Sequence, residues 1–240
     1  MEQLSYGISS KPEVDIVSLF IKNYKKELFM SYNLHPSEKL QKQFIEKPWQ
    51  ECDPFKAMFI FVGLDANYDK DIESKLPEIF SYLDDGVKWW GKHKVHHPFM
   101  LGNYHGDGKK YHKKFAEIGF TPEQADQVSF VELLHVPTTG RSSLKPSDLS
   151  EEHLERLSKI FDEGKAKYIF ISPKVIKVMR NTEVFSWLPR KPIREDGNFS
   201  VLHEQNGQII YRMYHLSCYG WQISRLDRQI EQLRRIVKKL

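Results

Sequence analysis

The feature that most constrains this chain is a change of hydrophobic period along it. Short continuous apolar runs at residues 57–63, 128–134 and 168–172 alternate with segments of helical spacing at 76–83, 110–118 and 150–161. A strand covered on both faces reads as an unbroken apolar run, and strands that alternate with helices pair in parallel. The pattern predicts an α/β fold with a central, mostly parallel sheet flanked by helices. A helix is expected at 13–30, followed by a polar, proline-punctuated stretch to Asp53. Two paired strands are expected at 198–203 and 208–215, around the Asn206-Gly207 turn signal. The chain closes on Ile223, Leu226, Ile230, Leu233, Val237 and Leu240 along one helical face, with arginines and lysines over the rest. No repeat or linker divides it, so one domain is expected over 1–240. It comprises an N-terminal helical segment (1–53), a core (54–221) and a C-terminal amphipathic helix (222–240).

Composition removes several classes. The 240 residues carry 36 Lys and Arg against 32 Asp and Glu, a net charge of +4, so bulk charge does not single out a nucleic-acid binder. With 40% hydrophobic residues the chain can bury a large core. Cys52 and Cys218 are too few for a disulfide framework or a cysteine-rich metal site. The first residues hold no signal-like apolar run, and the longest apolar stretch, 57–64, is far below spanning length. A cytoplasmic protein without a membrane partner or an obligate protein partner is the expectation.

Ligands of open α/β sheets bind beyond the carboxyl ends of the strands. The residues there are Asp65 and Asn67 after the first run, Glu132 in the second, and His215 and Ser217 after the last. Each also has a plainer reading: Asp65 as a turn cap, Glu132 as a solvent-facing strand residue, His215 as a core histidine and Phe99 as packing. The 84–108 segment is long for a connection and rich in His, Trp and Lys. Gly91 and Pro98 argue against a regular helix there. His93 and His97 raise a metal site, and Lys88, Trp89, Trp90, Lys92 and Lys94 raise a DNA-lining loop.

In order along the chain, four segments resemble the motifs of the uracil-DNA glycosylase superfamily, from Gly63 to about Trp221. They are Gly63-Leu-Asp-Ala-Asn-Tyr68; Pro98-Phe-Met-Leu-Gly102 with Gly106 and Gly108; Glu132 standing eight residues before Gly140; and Tyr214-His-Leu-Ser217. The resemblance implies that family's three-layer fold and a monofunctional DNA glycosylase that flips its target base out of the helix. By that resemblance Asp65 activates water and stabilises the sugar cation. His215 donates to the base O2, Phe99 stacks on the base, and Ser217 holds a phosphate. No metal, other cofactor or lysine nucleophile is required. Thr138, Thr139, Arg141, Ser142 and Ser143 suit a phosphate-gripping loop, or any polar surface loop. Arg212, Arg225 and Arg228 suit further phosphate contacts, and Tyr219 or Trp221 a wedge for the vacated stack.

The departures from the family pattern point to the substrate. Where the family commonly carries Asn to pair with uracil, this chain has Glu132, which when ionised only accepts hydrogen bonds and so suits the exocyclic amine of cytosine. The tyrosine that blocks the pyrimidine C5 position in uracil-specific members is replaced by Ala66 and Asn67, with Tyr68 one place later. Together these suggest a cytosine carrying a C5 substituent, as in foreign or phage DNA, and hence an antiviral role. Three alternatives stay open: repair of uracil or another deaminated base; a catalytically inactive DNA- or partner-binding protein on the same fold; and an unrelated, metal-dependent hydrolase.

Overall fold

Phe59 and Phe61 point to one side of their strand and Ile60 and Val62 to the other, and this alternation sets the layers of the molecule. The computed structural model describes residues 31–240 other than Asn103, Arg141 and Ser142. The expected helix at 13–30 lies outside them. In chain order the elements are β1 (Asn33–Leu34), α1 (Glu38–Glu46), β2 (Trp49–Glu51), β3 (Phe59–Gly63), α2 (Ile72–Lys75), α3 (Glu78–Asp84), α4 (Gly86–His93) and α5 (Lys109–Ala116). There follow β4 (Val128–Glu132), β5 (Thr138–Thr139), α6 (Glu151–Glu163), β6 (Tyr168–Ile171), α7 (Pro173–Met179), β7 (Arg194–Asp196), β8 (Phe199–Gln205), β9 (Gln208–Arg212) and α8 (Gln222–Val237).

Seven strands form the main sheet in the order β2-β4-β3-β6-β9-β8-β7. The four in the middle, β4, β3, β6 and β9, are mutually parallel, and antiparallel strands close both edges. The mixed α/β architecture and the parallel centre agree with the sequence pattern.

The two faces of the sheet differ in chemistry. One is aliphatic: Ile60, Val62, Val131, Ile169 and Ile171 pack beneath Leu154, Leu157 and Ile160 of α6 and Val175 and Met179 of α7. The other is aromatic. Phe61 lies 5.0 Å from Phe170 and 5.6 Å from Phe130 between ring centroids, and Phe59 stacks on Tyr168 at 5.1 Å. Phe115 of α5 and Leu226, Ile230, Leu233 and Val237 of α8 cover that face. The apolar stripe of α8 is as expected, except that Ile223 and Leu240 stay exposed. Each fully buried side chain of this size contributes roughly 1.5–3 kcal/mol, so the two faces are the main source of stability.

A third apolar cluster sits off the sheet. Leu40, Phe44, Tyr68, Ile79, Tyr82, Trp89, Phe99 and Tyr104 pack together there. It draws on α1, α3 and α4, so the described residues of 31–53 and 84–108 include packed structure. The expectation against helix near Gly91 is corrected: α4 runs through it, starting where Asp85 accepts from the Lys88 amide and ending at left-handed Lys94. Trp89 and Trp90 are both 3% exposed, which removes them from any DNA-lining role.

Candidate active site

Gly63 and Glu132 are register partners at the carboxyl ends of the adjacent parallel strands β3 and β4. Beyond them the chain keeps its alignment. The Thr138 amide donates to Ala66 O and the Tyr68 amide to Thr138 O, each at 2.9 Å, so residues 66–68 are clamped to β5. Side chains lock the same junction. Thr138 Oγ1 donates to Asp65 Oδ2 at 2.6 Å, while Asn67 Nδ2 donates to Thr138 Oγ1 at 3.0 Å and to Gly140 O at 2.6 Å. Thr138 is fully buried. Asp65 is thereby held at the mouth of a cavity instead of turning back as a cap.

That cavity, about 220 Å³, is lined by Asp65, Asn67, Tyr68, Phe99, Glu132, His215 and Ser217, all seven singled out from sequence. A cavity of about 150 Å³ already admits benzene, so this one has room for a single pyrimidine ring. Gln50, His97, Lys110, Tyr111 and His112 complete its wall.

Glu132 projects its carboxyl over Gly63 into this space. Its Oε2 is buried with no hydrogen-bond partner among the described residues. Burial, reinforced by the charge of Asp65, pushes its affinity for a proton well above the usual carboxyl range. Burial thus favours the neutral acid, with one donor and one acceptor, over the ionised form that only accepts.

His215 lies at the exposed rim. Its Nδ1 accepts from the Ser217 amide at 3.3 Å and pairs with Ser217 Oγ at 2.8 Å. Burial by neighbouring groups and then the charge of Lys174 lower its proton affinity, against a smaller opposing effect of Asp65. The neutral ring therefore carries its proton on Nε2, the donor it presents. Lys110 donates to Cys218 O at 2.8 Å, fixing the loop that carries His215.

Phe99 is buried, with one face stacked on Tyr104 at 4.3 Å, so only its other face or its edge meets the cavity. A β-carbon at Gly108, where φ is +84°, would lie 2.5 Å from the Phe99 ring. That glycine sets the ring's position. Behind Phe99, His97 stacks on His112 at 3.7 Å, His96 Nε2 meets His112 Nδ1 at 3.0 Å, and His97 Nδ1 accepts from the Phe99 amide at 3.1 Å. Burial lowers the proton affinity of all three histidines. His93 instead stacks on Trp89.

The remaining described candidates, Thr139, Tyr219 and Arg225, do not line the cavity. Thr139 pairs with Asn33 in the small β1-β5 ladder, Tyr219 is 82% exposed, and Arg141 and Ser142 lie outside the described residues. Arg225 lines a neighbouring groove with Arg212, Arg228, Tyr214 and Trp221. Its guanidinium lies over Trp221 at 5.0 Å and donates to Tyr214 Oη at 3.1 Å, and Arg212 donates to Ser200 Oγ at 2.8 Å. These are neutral partners, and among the described residues no ion pair engages any of the three arginines.

Thr138 was grouped in the sequence with possible phosphate contacts; its place under Asp65 depends on the β5 pairing, which two residues cannot announce. His97 in the 84–108 segment and Tyr111 and His112 on α5 are wall residues that no local pattern announces, because only the tertiary fold brings them to the cavity. Fold and site together define an α/β protein with a buried, carboxyl-bearing cavity at the carboxyl edge of its parallel strands. No protein-family model matches the chain, and no curated protein matches it at a significant level. Among the described residues no helix is long and apolar enough to cross a membrane.

Proposed function

We propose that the protein is a monofunctional DNA glycosylase of the uracil-DNA glycosylase type, acting on a flipped pyrimidine. The target we infer is a cytosine bearing a C5 substituent in foreign DNA. One observation carries this reading: residues from four separate segments, chosen for their likeness to that superfamily, line one cavity of base size. The mixed sheet with its parallel centre is compatible with the three-layer fold of that superfamily.

The site supports the chemistry through a division of labour. Loss of a base leaves positive charge on the sugar and negative charge on the base. Asp65, fixed by Thr138, faces the sugar and the incoming water. The Nε2–H of His215 meets the base O2. Glu132, as a neutral acid, pairs with the cytosine edge: its O–H donates to N3 and its carbonyl accepts from the exocyclic amine. The arginine groove beside His215 offers cations, in no ion pair among the described residues, to the phosphates of the same strand.

Excision of uracil is the second reading, favoured by the burial that raises the proton affinity of Glu132. A neutral carboxyl can also donate to O4 and accept from N3–H. Both are tested by incubating the protein with DNA carrying uracil, cytosine, 5-hydroxymethylcytosine or its glucosylated form. Abasic sites are detected by aldehyde labelling and released bases by mass spectrometry. Release of a modified cytosine, lost in Asp65→Ala, is the expected result. Release of uracil alone establishes the second reading, and intact DNA throughout overturns both in favour of a binding protein.

A further inference from the structure

We propose that Glu132 is the general acid of this site, passing its carboxyl proton to N3 of a cytosine-type base as the glycosidic bond breaks. The proposal rests on the glycosylase reading above and assigns Glu132 a chemical step beyond base pairing.

The need for such a step lies in the leaving group. A uracil anion spreads its charge over two carbonyl oxygens. Cytosine has an amine in place of one of them and is the poorer anion. It also has what uracil lacks, a lone pair on N3. A proton delivered there lets the base depart neutral.

The cavity is built to supply that proton. Glu132 Oε2 is buried, has no hydrogen-bond partner among the described residues and is directed into the space over Gly63. The titratable groups facing the same cavity are Asp65 and Tyr68 after β3, His97 before Phe99, Lys110, Tyr111 and His112 on α5, and His215 after β9. None holds Glu132 as an anion. Asp65 opposes its ionisation, His97 and His112 are kept neutral, both phenols are held protonated by burial, and Lys110 is turned to the Cys218 carbonyl. The raised proton affinity of the carboxyl agrees with this arrangement.

The step balances without a co-reactant. The C1′–N1 pair stays on N1, the Glu132 O–H pair stays on the carboxylate, and the proton becomes N3–H of a neutral base. Water positioned by Asp65 forms the C1′–O bond, and its proton passes to Asp65 and on to solvent. Solvent returns one to Glu132. The net reaction is hydrolysis of one N-glycosidic bond.

The test is a single-turnover rate measurement from pH 5 to 9, on duplexes carrying 5-hydroxymethylcytosine or its 3-deaza analogue, in which a C–H replaces N3. Wild type and Glu132→Gln are compared. Glutamine keeps a donor for N3 and an acceptor for the amine, but has no proton to give. The expected result is unchanged affinity for an uncleavable duplex, with a rate about 10²-fold lower or more. The fall in wild-type rate at high pH should vanish in the variant. The 3-deaza base should slow the wild type by a comparable factor and slow the variant little further. A Glu132→Gln rate within threefold of wild type, or equal wild-type rates on the two bases, overturns the proposal while leaving the glycosylase reading in place. Release of uracil and of no cytosine also overturns it. Intact DNA with every substrate overturns the glycosylase reading itself, and the proposal with it.

Discussion

A β-carbon on Gly63 would lie 1.9 Å from Glu132 Oε2, so the glycine at the end of β3 makes the room in which the carboxyl of β4 stands. The obstructing atoms are the far end of a flexible side chain. Gly63→Ala therefore leaves the backbone intact and turns Glu132 away from the cavity. The expected outcome is a melting temperature within a few degrees of wild type together with a loss of base release of about 10²-fold. Thermal melts and single-turnover rates on the same preparations check it. A variant that melts far lower would show that Gly63 serves the fold instead.

Thr138 and Asp65 form a second relationship, on which the proposed activity would depend. Thr138→Val keeps the shape and removes the hydroxyl, leaving Asp65 Oδ2 and Asn67 Nδ2 short of one partner each. Hydrogen bonds to charged groups are worth about 1.5–3 kcal/mol. A rate loss of roughly tenfold to a hundredfold is expected, with a smaller loss of stability, measured by single-turnover kinetics and urea unfolding. An unchanged rate would remove Thr138 from the positioning of Asp65.

The histidine stack behind Phe99 predicts acid sensitivity. His96, His97 and His112 bind protons more weakly folded than unfolded, His96 having dropped from 6.5 to about 3. Below pH 6.5 the unfolded chain therefore holds more protons. The stability they support is complete above that pH and is lost as pH falls, by about 1.4 kcal/mol per pH unit for each histidine. Urea unfolding at pH 7.5 and 5.5 reads this directly, and His96→Asn should flatten the dependence.

Glu51 carries the opposite sign. It is buried in a left-handed conformation (φ +63°) on β2, and burial raises its proton affinity well above the ordinary 4.5. Its stability contribution is present below about pH 4.5 and lost as pH rises toward the folded value. Glu51→Gln is expected to be more stable than wild type at pH 8 and no more stable at pH 4. Equal stability of the two proteins at pH 8 would contradict the burial argument.

The arginine groove predicts a salt signature. Arg225→Ala and Arg228→Ala should each weaken binding to duplexes of any sequence and lower the slope of log affinity against log salt by about one. Fluorescence anisotropy titrations at several salt concentrations measure it. A slope that does not change would place the phosphates elsewhere.

Much of this fold could be read before the structure because its signals are local. The runs holding Phe61, Phe130 and Phe170 are unbroken because both of their sides are covered, and α8 shows its stripe because only one side is. The stretch around β2 was hidden: three residues ending in a buried, left-handed glutamate have neither length nor alternation. The 84–108 segment misled because its tryptophans and lysines suggest an open surface, whereas a third apolar cluster takes in Trp89. Among the site residues, Asp65, Glu132 and His215 were legible from their positions after strands. Thr138 and His112 were not, because their contacts join parts of the chain far apart in sequence.

The parallel ladder also acts as a ruler. Glu132 ends β4 while Asp65 and His215 follow β3 and β9, and in the order β4-β3-β6-β9 neighbouring strands keep a spacing of about 4.8 Å set by backbone hydrogen bonds. The separation of these groups is thus a property of the main chain. Exchanging a side chain at the end of one of these strands changes what the cavity presents there while leaving the backbone spacing of the other groups in place.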